Sequence, residues 1–167
     1  MPAASSEANE AETARQLLRH TVATLAYRGG KVLRDAPGDF SAFVPGGEGR
    51  SAGEILAHIG DLMDWALSMT SGEPKWHNSK SQAWNEDVHR FHAALTALDA
   101  TLASDQPLHA SPEKLFQGPV ADALTHVGQL AMMRRLAGAP IQGENYFVAD
   151  IAAGRVGPEQ AAPKRVF

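Results

Sequence analysis

Apolar side chains recur at three- to four-residue spacing in four segments of the chain, the signature of amphipathic helices. The first segment runs from about Glu7 to Arg34, with Leu17, Leu18, Val22, Leu25, Val32 and Leu33 as its apolar positions. Gly29-Gly30 is expected to kink or end it, because glycine costs about 1 kcal/mol in a helix interior. A breaker-rich loop follows, with Pro37-Gly38-Asp39 and Pro45-Gly46-Gly47. The second helix opens at Ser51-Ala52-Gly53-Glu54, a capping box in which Ser and Glu each satisfy an orphan backbone N–H. Ile55, Ile59, Leu62, Ala66 and Met69 form its stripe, and Gly72-Glu73-Pro74 stops it. The third covers about Ser79 to Ala103, striped by Trp84, Val88, Phe91, Leu95, Leu98 and Leu102. The fourth opens at Ser111-Pro112-Glu113, with Pro at the first helical position, and ends near Leu136 before Gly138 and Pro140. Pro119 inside it predicts a break near Gly118-Pro119.

Four such helices predict an all-α four-helix bundle, up-down in some connection order. With 167 residues, the chain is expected to form one domain over 1–167. The core covers about 7–138 and the C-terminal tail 139–167. In that tail the pattern predicts a short helix near Tyr146–Ala153 and an extended run beyond Gly154. No internal repeat and no convincing strand alternation is present.

Composition narrows the function. Hydrophobic residues make up 44%, enough for a true core. The net charge is −4, and the densest basic features are Arg134-Arg135 and Lys164-Arg165. A nucleic-acid partner is therefore not expected, since phosphate binding needs a basic stripe. No apolar run has the length of a membrane span. Met1 to Glu12 lacks the basic and then apolar pattern of a secretion leader, so a cytoplasmic location is the default expectation. The absence of cysteine excludes disulfides, thiolate metal sites and a cysteine nucleophile.

Two polar features interrupt apolar faces. His58 lies three residues after Ile55 and four before Leu62, inside the stripe of the second helix. On the fourth helix Asp122, His126 and Gln129 stand at i, i+4 and i+7, one face that Leu115 and Met133 share. Inward-facing carboxylate and imidazole groups need partners. The spacing admits two readings. His58 is a hydrogen-bonded core or rim histidine and Asp122/His126 a solvated surface pair, or the three share a divalent cation. The residue types suit Zn, Ni, Fe or Mn, and three N/O ligands with open positions are the arrangement of a catalytic site. In the second reading Asp61, one turn after His58, orients an imidazole, and Gln129 bonds a metal-bound water.

A family resemblance bears on this choice. Ala52-Gly53-Glu54-Ile55-Leu56-Ala57-His58-Ile59 resembles the helix of the DinB/YfiT-like superfamily that carries its first metal histidine. Thr125-His126-Val127-Gly128-Gln129-Leu130, followed by Arg134-Arg135-Leu136-Ala137-Gly138, resembles that family's last-helix signature. The similarity spans about Leu17 to Gly138. It implies a four-helix bundle, often a homodimer, with a metal held by three side chains near one end. Carried over, His58 is the first ligand and His126 the last. The middle ligand is commonly His; here it is Asp122, which shifts the preference toward a harder ion. The resemblance further implies hydrolysis, or transfer of a low-molecular-weight thiol to an electrophile. A non-catalytic stress-response or small-ligand-binding module and a purely structural homodimer are the competing readings.

The remaining candidates read blandly. Glu86-x-x-His89 lacks the second copy that a di-iron site requires. His89 and His92 are expected at the surface or rim, while His20, His77 and His109 carry no pattern. Trp65, Trp76 and Trp84 are expected as core or interface anchors. Ser51 and Ser111 read as caps. Gly46-Gly47-Glu48-Gly49 lacks the Lys-Ser/Thr of a phosphate loop. Glu144, Asn145 and Tyr146 either line a pocket mouth or pack the tail onto the bundle.

Overall fold

The computed structural model describes the backbone from residue 3 and the side chains from residue 9, both through 167. The reading of Met1 and Pro2 lies outside the described residues. The architecture is all-helical. Helix α1 covers Ala3–Leu33, α2 Ala52–Thr70 and α3 Trp84–Ala103. The fourth helix is composite: α4 (Pro112–Leu115), a π-helical turn (Phe116–Val120) and α5 (Ala121–Leu136). Phe116, Val120 and Ala121 keep helical dihedrals at the junctions, so the rod continues through them. Pro119 brings no N–H to the ladder, and the widened turn absorbs its ring.

Contrary to expectation, Gly29-Gly30 neither kinks nor ends α1, which runs through to Leu33. The pair serves packing instead. A Cβ on Gly29 would come to 2.5 Å from Phe91 Cζ, so the missing side chain lets α3 press its phenyl ring onto α1. Phe91 is fully buried, with Val22, Leu25, Ile59, Leu95, Leu98 and Leu130 in the same apolar cluster.

The structure settles the connection order, which the sequence left open. Trp84 at the start of α3 donates to the Leu33 carbonyl, and Arg19 pairs with Asp99, so α1 and α3 are antiparallel. Arg134, late in α5, donates to the carbonyls of Val32 and Arg34, so α5 runs parallel to α1. Both α2 and α3 begin near Phe40: its ring meets Trp84, while the Phe43 carbonyl accepts from Ala52 N–H. They also end together, with Thr70 and Thr101 on one depression. The order is therefore up, down, down, up. Around the core, α3 and the fourth helix each pack against both α1 and α2, which leaves α1 and α2 on a diagonal.

A parallel α2–α3 pair requires a crossover, and residues 71–83 supply it. This strap runs back along α2, which corrects the expected start of α3 at Ser79 to Trp84. Its backbone is captured by side chains. Ser79 N–H donates to Asp61 Oδ2 at 2.9 Å and Ser79 Oγ to Asp61 Oδ1 at 2.6 Å. Gln82 N–H donates to Asp87 Oδ2 at 2.9 Å. These carboxylates offer the strap an extended alternative to helix.

The tail also differs from the reading. Only a 3-10 turn, Tyr146–Val148, forms where a short helix was expected. Asn145 accepts from Phe147 N–H and so supports a turn rather than a longer helix. The extended remainder packs on the helices. Glu144 is buried and accepts from Tyr27 Oη and Lys31 Nζ, each at 2.7 Å. Val156 is buried too, and its carbonyl meets His92 Nδ1 at 3.2 Å. His92, expected at the surface or rim, is buried by this tail.

Candidate metal centre

The capping box of α2 forms as the sequence predicts, with Ser51 Oγ accepting from Glu54 N–H and Glu54 Oε2 from Ser51 N–H. It sets the start of α2 and hence the phase that turns His58 toward α5. There it meets Asp122 and His126, which share one face at i, i+4. His58 Nε2 lies 3.9 Å from Asp122 Oδ2, and His126 Nε2 lies 3.4 Å from Asp122 Oδ1. One ligand atom from each of the three groups falls within 4.8 Å of the others. The two imidazoles meet edge to face, with centroids 4.8 Å apart. No hydrogen bond joins any pair of the three, so acceptor atoms converge with nothing donated between them.

The cluster sits at the rim, one of the two placements the stripe allowed for His58, and Asp122 faces outward rather than inward. The side chains of His58 and His126 are 18% and 13% exposed, and that of Asp122 is 49% exposed. Two histidines are thus half-sheltered while the carboxylate faces solvent, leaving one open side. Burial pushes His58 below its ordinary value, and the nearby His126 and Arg50 act in the same direction; Asp122 and Asp61 oppose them. A depressed histidine is neutral at pH 7 and keeps a lone pair for a cation.

The neighbours take roles other than those expected. His126 Nδ1 donates to Gln129 Oε1 at 2.7 Å, so Gln129 orients the ring and leaves Nε2 for the cluster. Asp61 makes no hydrogen bond to His58. It is buried and holds the strap through Ser79 and Arg90, whose Nη2 donates at 2.7 Å. Burial alone would raise the Asp61 carboxyl, but the Ser79 and Arg90 hydrogen bonds outweigh it and hold the group below its usual range. Gly60 makes room for this contact, since a Cβ there would come to 2.8 Å from Arg90 Nη1.

Two further residues stand at the cluster: Trp76, which the sequence marked only as a core or interface anchor and which is 45% exposed, and Arg50, which sequence reasoning did not single out. Trp76, on the strap, stands edge to face with His58 at 5.7 Å and with Trp65 at 5.6 Å. No local pattern marks it, because only the reversal of the strap brings it back beside His58. Arg50 precedes the α2 cap and is exposed. A cation immediately before a capping box is a readable signal, though a nonspecific one.

Two nitrogens and one carboxylate oxygen, carried by two helices and open on one side, have the chemistry of a divalent-cation donor set. No protein-family model, curated protein or solved structure gives a match to this chain.

Proposed function

We propose that this chain is a metal-dependent enzyme of the DinB/YfiT-like type, holding one divalent ion through His58, Asp122 and His126. The observation that carries the reading is the convergence, within 4.8 Å, of three acceptor groups from two helices that are not hydrogen-bonded to one another. The motif residues support it. His58 and His126, the two positions matched to family ligands, are the pair that meet. Gln129 of the same motif holds His126, and Arg134 ties the end of α5 to the end of α1.

The proposed substrates are small molecules, and the reaction is hydrolysis or transfer of a low-molecular-weight thiol to an electrophile. Zn, Ni, Fe and Mn are the candidate ions, and a cytoplasmic homodimer is the proposed setting. A bound divalent ion lowers the pKa of a water or thiol ligand, which supplies hydroxide or thiolate near neutral pH. The chain's own part is positional. Gln129 fixes one imidazole, Trp76 shields a face of the other, and Asp122 borders the open side. With no cysteine in the chain, a thiolate nucleophile must come from a small molecule.

Metal analysis of the purified chain tests the reading. One ion per chain is expected, and His126→Ala should lose it. Thiol transfer to a model electrophile should then depend on that ion. A chain that takes up none of the four ions, with His126→Ala behaving as the parent, refutes the proposal.

A further inference from the structure

A shallow groove of about 360 Å³ lies between the loop before α2 and the end of α5, beside the donor cluster. Gln129, which holds His126, forms part of its wall, and so does Ile55, one turn before His58. The floor is apolar, with Ile55 and Met133 buried. Met132 and Leu136, one turn apart on α5, stand 56% and 59% exposed along the rim. Charge is confined to the loop edge, where Arg50 and Glu48 line the groove. Arg50 has no ion pair and no side-chain hydrogen bond among the described residues, which leaves its guanidinium available to a ligand in the groove.

We infer that this groove binds the substrate as an amphiphilic monocarboxylate, its carboxylate on Arg50 and its apolar chain along Met132 and Leu136. The guanidinium fork matches a carboxylate in two parallel hydrogen bonds. A single cation with Glu48 beside it disfavours a phosphate dianion, which carries more charge than Arg50 alone offsets. An apolar chain covers the two exposed side chains, which water solvates poorly. Ile55 and Gln129 then place the bound molecule next to His58 and His126. The inference names the substrate class of the proposed metal site and rests on that reading for its catalytic meaning, but not for binding.

Calorimetric titration of the full chain with octanoate, acetate and octylamine tests it, in zinc-loaded and chelator-treated protein. Octanoate should bind roughly tenfold or more tightly than either control, which lack the chain or the charge. Arg50→Gln should weaken octanoate by roughly tenfold, and Met132→Glu by a similar factor, while both retain the parent's zinc content. Both positions are exposed, so neither change should unfold the protein. Octanoate affinity equal to that of acetate, or unchanged by Arg50→Gln, overturns the inference even if zinc is bound. Octanoate binding that depends on Arg50 in a chain that takes up none of zinc, nickel, iron and manganese upholds the groove and sinks the metal reading instead.

Discussion

Gln129 and Arg134 show how a polar side chain on the fourth helix serves a neighbour rather than itself. Gln129 accepts the His126 Nδ1 proton, and such partners typically change metal affinity by 10–100-fold. Gln129→Leu should therefore weaken zinc binding by roughly tenfold. Gln129→Glu should restore or strengthen it, since a carboxylate accepts more strongly and raises ligand basicity. A competition titration against a chromophoric chelator reads both, and equal affinities in all three proteins would remove Gln129 from the site. Arg134 is buried, and its guanidinium donates to the carbonyls of Val32, Arg34, Asp35 and Ala139. It thereby satisfies chain ends that α1 and α5 leave unpaired. Arg134→Ala leaves several of these carbonyls without partners and should cost about 2–4 kcal/mol of unfolding free energy. Arg134→Lys should recover only a small part, because one ammonium cannot span that fork. Urea unfolding of the two variants decides the point; a loss under about 1 kcal/mol for the alanine variant contradicts it.

The helices were legible in the sequence because each carries its own period, cap and breaker. The Ser51/Glu54 box forms where the residues place it, and at Pro119 the expected interruption takes the form of a π-helical turn rather than a break. The strap was not legible. Residues 79–83 read as a continuation of α3, but the Asp61 carboxylate on α2 and the Asp87 carboxylate at the start of α3 draw them into an extended path. Asp61 misled for the same reason: its i+3 spacing from His58 points to one face, but Ser79 and Arg90 take both its oxygens. The tail was legible only in part: its packing through Glu144 was one of two readings, but its partners, Tyr27, Lys31 and His92, lie on α1 and α3, far away in sequence. His92 makes this packing testable by pH. Burial lowers it from its ordinary 6.5, outweighing the Val156 carbonyl, with Arg34 and His89 adding to the depression. Below pH 6.5 the unfolded chain binds a proton that the native chain does not, so stability falls as pH drops through that window. His58 is shifted in the same direction and adds to the loss. His92→Gln keeps a donor for Val156 without the titration. Its melting temperature should fall less steeply between pH 6.5 and 5 than the parent's. Parallel curves for the two proteins would remove His92 as a source of the acid sensitivity.

On the scale of the whole molecule, the up-down-down-up order leaves α2 joined to the fourth helix by side-chain packing alone, with the strap, α3 and its following loop between them in sequence. The cluster lies on that seam, with His58 on one helix and Asp122 and His126 on the other. An ion bound there bridges two elements distant in sequence, and the unfolded chain does not present the three donors together. Binding to the native state alone adds RT ln(1 + [M]/Kd), about 2.7 kcal/mol at one hundred times Kd. For a chain of this length that corresponds to a rise of about 5–10 °C in melting temperature. Zinc should produce the rise and a chelator should reverse it. His58→Ala and His126→Ala should each abolish it, because either change leaves the seam with donors too few to hold the ion. Asp122→His keeps a donor and should preserve it. A rise that persists in both alanine variants would place the ion elsewhere, and no rise in the parent at saturating zinc, nickel, iron or manganese would mean that the two helices meet without one.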